Sequence, residues 1–366
     1  MGLACISSGK SATAPYVTLF SLCYNECMEY VSINLYGDKG WIDWPSVYAT
    51  PYAWIIMTGG RAIGKTYGAI RFLAERGIPF IFFRRTEAES VIQNDPMLSD
   101  LSLPLKEAGI DFYVERIKRT KLSFWKRSDN NEIICMNAAM RTFGKIRGVN
   151  YSWADAMLFD EFIPKPEEPR YKKEGFNLQQ AYESVNRNRE LDGKPPVRLI
   201  CLSNSLNLQN DVFMELNLID DADELSQDPT HECAAVGDRL LIINKFSPIS
   251  EKKKETVLYR NASEDFYKMA IENQFILNDR TYVKKRPLKE YSAVCSVGSM
   301  FFYKHKSNGT YYVCGSRANV KETYSTESSG VEKFRRKHWR WWTRYLDGKF
   351  YFSSYKYISL FERLFN

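Results

Sequence analysis

The octapeptide Gly59-Gly60-Arg61-Ala62-Ile63-Gly64-Lys65-Thr66 constrains this chain more than any other stretch. A loop of this kind gathers successive backbone N–H groups around one anion, and the glycines supply the freedom that this requires. Lys65 is then placed to reach the β- and γ-phosphates of a nucleotide, and the Thr66 hydroxyl to hold Mg²⁺. The pattern occurs by chance in unrelated proteins, so its flanks decide. "WIIM" enters the loop as a short apolar strand, and "TYGAIRFLAER" leaves it with helical spacing and Gly77 as a stop. A plain glycine turn with an exposed lysine would need neither flank. Gly9-Lys10-Ser11 is a decoy, because Ala4 stands where the first loop glycine belongs and no strand precedes it.

Further apolar runs follow: "IPFIFFRR", "AMLFDEF", "VRLICLSNS" and "DRLLIINKF", with the polar-faced helix "NLQQAYESVNRNREL" among them. Strands alternating with helices predict an α/β fold with a mainly parallel sheet covered on both faces. Around "SPISEKKKETVLYRNASEDF" apolar density falls and charge rises, which reads as a helical linker. Beyond Thr281, "YSAVCSVGSMFFYKH", "SNG" and "TYYVCGS" read as strand, turn, strand. The expected organisation is a nucleotide-binding domain over 1–248, with 1–50 as an unassigned extension. A helical linker over 249–277 and a smaller basic domain over 278–366 complete it.

Hydrolysis needs a carboxylate on Mg²⁺ and a group that orients water. "AMLFDEF" provides both at the end of a buried strand, where open α/β sheets face their ligand. Asp160 is expected to hold Mg²⁺ and Glu161 to polarise the attacking water. "LICLSNS" ends another strand in Ser203-Asn204-Ser205, and Asn204 at the tip of a strand between the other two could touch the γ-phosphate or its water. A turn after a strand would look the same locally. "NKFS" at 244–247 lacks the aspartate of a guanine-reading motif, which favours ATP over GTP.

Charge is divided unevenly. From Arg280 onward there are 18 Lys/Arg and 6 Asp/Glu, whereas the preceding residues hold 33 and 38 of the chain's 51 and 44. An acidic body with a basic tail fits a polyanion partner near the C-terminus, and equally a solvated basic surface. Of the eight cysteines, only Cys23 and Cys27 lie close together, and no second pair or nearby histidine completes a zinc site. Cys135, Cys201 and Cys295 lie in apolar runs and read as core thiols, so a reducing compartment is expected. "MGLACIS" is not read as an acylation signal, because Ile6 stands where Ser or Thr is wanted. Without a run of transmembrane length or a basic-then-apolar leader, no membrane partner is expected.

"GGRAIGKT", "IPFIFFRR", "LFDEF", "NRNRE" and "LICLSNS", in that order and spacing, resemble the DNA-packaging ATPases of small podoviruses, compact relatives of terminase large subunits. The resemblance runs from about Trp54 to Ser205, and "ENQF" at 272–275 extends it weakly. It implies a P-loop NTPase of the additional-strand catalytic-glutamate type using ATP and Mg²⁺. It also implies a homo-oligomeric ring, usually of five subunits, that drives double-stranded DNA through a portal into a procapsid. Work of that kind takes place in the host cytoplasm at the portal vertex. Residue roles follow from it too. Gly59, Gly60, Arg61, Gly64, Lys65 and Thr66 would bind nucleotide, with Arg61 on phosphate from inside the loop. Arg187 matches the arginine that reaches into the neighbouring subunit's site, with Arg189 as the alternative and Arg147 as another basic residue near the subunit boundary. Some relatives carry a lysine shortly after the double arginine, where this chain has Glu87.

Large terminases end in a ribonuclease-H-like nuclease, whose paired metals need clustered carboxylates. "SAVCSVGSM" has none, and Glu290, Glu322 and Asp347 are scattered, so the tail is expected to have the nuclease-like fold without nuclease chemistry. The basic aromatic run "RRKHWRWWTRY" suits phosphate-backbone contact, portal docking or a structural packaging RNA. Trp339, Trp341 and Trp342 cannot all face a ligand. Two rival readings remain at this stage. One is a P-loop kinase of a small molecule, which would leave Glu161 unexplained. The other is a non-catalytic DNA-binding scaffold that uses ATP only to assemble.

Overall fold

Strands that are apolar at nearly every position need cover on both faces, and the chain supplies it. The computed structural model describes residues 28–117, 120–143, 149–165, 168, 171, 173–204, 206–264, 266–267 and 280–365. Ten strands form the larger sheet: β1 (Glu29–Tyr30), β2 (Trp54–Gly59), β3 (Phe80–Arg84), β4 (Phe112–Arg116), β5 (Ser123–Arg127), β6 (Ile133–Ala139), β7 (Ala156–Asp160), β8 (Arg198–Ser203), β9 (Cys233–Val236) and β10 (Arg239–Asn244). Their order is β1-β9-β10-β2-β8-β7-β3-β6-β5-β4. The six from β10 to β6 are all mutually parallel. The outer pairings are antiparallel. This is the α/β architecture with a large, mainly parallel sheet that the apolar runs predict. β8 lies between the phosphate-loop strand β2 and the acidic strand β7, which is the additional-strand arrangement.

Alternation sorts each central strand between two cores. Ile55, Met57, Phe80, Phe82, Leu158, Ile200, Leu240 and Ile242 join Ala69, Ile70 and Leu73 of the helix Lys65–Glu75 on one face. Ile56, Ile81, Phe83, Met157, Phe159 and Cys201 join Leu178, Ala181 and Val185 of the helix Glu174–Asn186 on the other. At about 1.5–3 kcal/mol for each fully buried large apolar side chain, this two-faced burial is the main source of stability. Cys135, Cys201 and Cys295 are buried thiols, as expected.

Three features depart from the expected element list. β4 and β5 form an antiparallel extension beyond β6 where no strand was read, because the partly exposed, charge-bearing "FYVER" and "SFWKR" carry a weak periodic signal. Residues 28–50, unassigned from sequence, take a place in the larger unit: β1 pairs with β9, and Trp44 and Val47 enter the core beside the phosphate loop. The segment read as one strand before "SNG" is two, β11 (Tyr291–Val297) and β12 (Met300–His305). Gly298 (φ 54°) turns the chain between them, since fifteen residues are too long for one strand here.

β11 and β12 belong to a second sheet with β13 (Tyr311–Cys314), β14 (Glu322–Tyr324) and β15 (Phe350–Phe352), in the order β14-β11-β12-β13-β15. It is an antiparallel meander, β11-β12-β13, with a parallel strand at each edge. The rings of Phe302, Phe334, Trp341, Phe350 and Phe361 pack together at tilted angles in its core. Of the three tryptophans in the basic run, Trp341 is buried and Trp342 packs on Phe361 and Phe365. Only Trp339 is exposed, with the Arg340 guanidinium 4.9 Å from its ring. The unit rests on the larger one through Lys356 to Asn217 (2.6 Å), Arg280 to Asp223 and Arg363 to Asp211. Between the sheets the described linker residues form the short helices Pro248–Lys253 and Val257–Arg260. "ENQF" lies outside the described residues. Among them no helix is long and apolar enough to cross a membrane.

Candidate nucleotide-binding site

Parallel strands deliver their ends to one edge of the sheet, where ligands of open α/β folds bind. Gly59, Arg84, Asp160, Ser203 and Asn244 end β2, β3, β7, β8 and β10 on that edge. Gly59 lies so close to β10 that a Cβ on it would sit 2.6 Å from the Asn244 Cβ, and its φ of 137° suits only glycine. Gly64, at φ 86°, turns the loop into the helix Lys65–Glu75. Trp44 Nε1 donates to the Gly64 carbonyl at 3.1 Å, and the Ile42 amide to the Ile63 carbonyl at 3.1 Å. The segment before β2 therefore buttresses the loop from outside.

Lys65 is almost fully buried. Its Nζ donates to the Gly59 carbonyl at 3.0 Å and also to that of Gly60. Burial pushes its ammonium down to about 7, partly opposed by Asp160. The Thr66 hydroxyl donates to Asp160 Oδ1 at 2.8 Å, which joins the loop to β7 across the intervening β8. Burial raises the Asp160 carboxyl, while Arg84 and the Thr66 hydrogen bond pull it back. A hydroxyl and a buried carboxylate in contact beside a buried lysine form a donor set that fits Mg²⁺ and a phosphate chain. Thr66 and Asp160 would hold the ion, and Lys65 the phosphates.

Glu161 follows directly and takes a left-handed backbone (φ 54°), so the strand breaks at this residue. Such a conformation costs about 1–3 kcal/mol in a non-glycine residue and persists where its surroundings enforce it. The Phe162 amide, bonded to the Leu202 carbonyl at 3.2 Å, ties the turn to β8. Asn204 follows β8 directly, so the predicted loop, acidic and polar-tip residues do converge on one edge. Arg84 joins them without having been assigned a role from sequence. Its Nη1 lies 3.2 Å from both Asp160 Oδ2 and Glu161 Oε2, and its Nη2 pairs with Asp100. The sequence signals for it were its place at the end of an apolar strand and the double arginine of "IPFIFFRR" among the resemblance motifs.

A profile of the Podovirus DNA encapsidation protein (Gp16) family matches residues 52–328, more than half of the chain. The chain belongs to this family. The DNA packaging protein of Bacillus phage phi29 is 27% identical over 243 residues, which cover 63% of this chain and 64% of that relative, just under two thirds of its length. Among solved structures, the bacteriophage Phi-29 viral genome packaging motor assembly holds a chain with a TM-score of 0.61 at 18% identity, covering 87% of this chain and 96% of that one. The Phi-28 gp11 DNA packaging motor gives 0.59 at 15%, with 86% and 94% covered. At these identities the likeness establishes fold.

Not every predicted site residue of this encapsidation-family chain lies at the loop edge. Arg187 ends the helix Glu174–Asn186, and Asn186 accepts from the Val197 amide immediately before β8. That is the opposite edge of the sheet, roughly 17 Å away at 3.3 Å per residue of β7. Arg187 is exposed, has φ 46°, and donates to the carbonyls of Val149 (2.8 Å) and Ser184 (3.1 Å). Arg189 is held within its own domain by the Ala154 carbonyl (2.8 Å), the Pro195 carbonyl (3.2 Å) and Asp155 (2.6 Å). Arg147 lies outside the described residues. The two described arginines should separate by stability. Arg189→Ala is expected to cost about 1–3 kcal/mol in denaturant unfolding, and Arg187→Ala much less. Equal losses would mean that Arg189 is no more structural than Arg187.

Proposed function

We propose that this protein is an ATP-driven motor subunit that moves viral double-stranded DNA into a procapsid as part of a homo-oligomeric ring. The observation that carries the reading is the convergence of Lys65, the Thr66–Asp160 pair and Glu161 on one sheet edge, in a chain of the encapsidation family. Lys65 would bind the phosphate chain and Glu161 would orient water and draw on its proton. Mg²⁺ held by Thr66 and Asp160 would offset charge on the phosphates. Asn204 would reach the γ-phosphate or its water from β8.

Arg187 lies too far from its own loop to act there, which supports a role in a neighbouring subunit's site. A charge delivered in trans makes each hydrolysis depend on the neighbour. The five-subunit number, the portal and a structural packaging RNA enter as partners on family resemblance, with the portal vertex in the host cytoplasm as the place of work. Exposed Lys333, Arg336, Lys337, Trp339, Arg340 and Arg344 offer a basic surface for the DNA backbone, the portal or a packaging RNA.

The test is turnover. ATP hydrolysis should rise on adding double-stranded DNA and release inorganic phosphate with no phosphorylated acceptor. A phosphorylated small molecule would make it a kinase, and ATP binding without turnover would make it a scaffold.

A further inference from the structure

The chain leaves the larger sheet beside the phosphate loop. β10 runs in register with β2 as far as Asn244 opposite Gly59, so the segment after β10 emerges next to the segment after β2. That segment is Pro248–Lys253, the first helix of the linker. It is firmly seated: Ile249 and Ser250 are buried, and a Cβ on Gly40 would lie 2.9 Å from Pro248 Cβ and 3.3 Å from Ile249 Cγ1. Its last residue, Lys253, is half-buried and donates through Nζ to the carbonyl of Arg61 inside the loop. Lys252, one residue earlier, is exposed and donates to the Lys39 carbonyl at 3.5 Å, away from the loop.

Two lysines from distant parts of the chain thus donate to three successive loop carbonyls, Lys65 to Gly59 and Gly60, and Lys253 to Arg61. Burial pulls the Lys253 ammonium down, with no opposing carboxylate among the described residues. Arg61 Nε is also buried, with no hydrogen-bond partner among those residues. Cations gathered in this way around a loop are stabilised by an anion, and a lysine carries three donors on a flexible stem. A charged phosphate oxygen is also a stronger acceptor than a neutral carbonyl.

We propose that Lys253 is a second phosphate-binding lysine, supplied by the linker. With a nucleoside triphosphate in the loop, its ammonium exchanges the Arg61 carbonyl for the phosphate chain, so that loop occupancy sets the linker's hold on the larger sheet. The proposal rests on the ATP reading above and adds a route from the nucleotide to the second sheet.

The test uses the full-length protein with Mg-ATP. Affinity is measured by calorimetry, and hydrogen exchange across residues 246–260 is followed with and without nucleotide. The wild type should bind and gain protection there; a wild type that binds no ATP removes the ATP reading itself, and this proposal with it. Given wild-type binding, Lys253→Gln should bind about tenfold more weakly or worse. It should also lose the nucleotide-dependent protection. Lys253→Arg should recover both and Lys252→Gln should match the wild type, which separates the effect from misfolding or a general loss of charge. Affinity of Lys253→Gln within twofold of wild type, or protection retained in that variant, overturns the proposal.

Discussion

Lys65→Ala and Asp160→Asn should each abolish ATP turnover, by a factor of about 10² or more, comparable to the loss of one preorganised donor in other active sites. The first removes the ammonium that would meet the phosphate chain, and the second removes the charge that Thr66 contacts at 2.8 Å. Neither loss should come from unfolding. Lys65 is buried at a cost that holds its ammonium down to about 7, so a neutral side chain there relieves a burden on the fold. Asparagine is nearly the shape of aspartate and still offers the Thr66 hydroxyl an acceptor. Thermal melting near that of the wild type, with turnover lost, is the expected pair of results. Near-normal turnover in either variant would remove the assignment of this loop and strand.

The parts of the site legible in the sequence are those written locally. The loop, its entering strand and its helix occupy one unbroken stretch, and Asp160 and Glu161 end an apolar run, so the pattern could be read without knowing any partner. The central strands were legible for a similar reason: burial on both faces demands unbroken apolarity. Arg84 is different, because its meaning lies in contacts with Asp100, Asp160 and Glu161 that only strand order creates. Lys253 stands 192 residues from the carbonyl it meets, and nothing in "SEKKKE" distinguishes it from its neighbours until the register of β10 against β2 is known. Arg187 and Arg189 carry the same charge two positions apart. Their different environments follow from the fold alone, which holds Arg189 half-buried by two carbonyls and Asp155, and leaves Arg187 exposed on two backbone carbonyls.

That difference leads to the test of cooperation between subunits. If Arg187 serves the neighbouring site, Arg187→Ala should bind ATP almost normally, because its own loop and acidic strand are intact. It should hydrolyse poorly, since charge spreading over the transferring phosphoryl group would lack its cation; well-studied arginine fingers contribute about 10³–10⁵ in rate. Glu161→Gln has the complementary defect, with a sound Arg187 but no carboxylate to orient water. Mixed in one ring, the two inactive variants should form some interfaces that hold both Glu161 and Arg187, and activity should return at those interfaces alone. Fluorescence energy transfer between labelled variants must show that subunits exchange. Exchange without recovered activity would mean that Arg187 does not act in trans. The same mixing experiment with Arg189→Ala or Arg147→Ala in its place would then ask which of those two residues supplies the neighbouring charge.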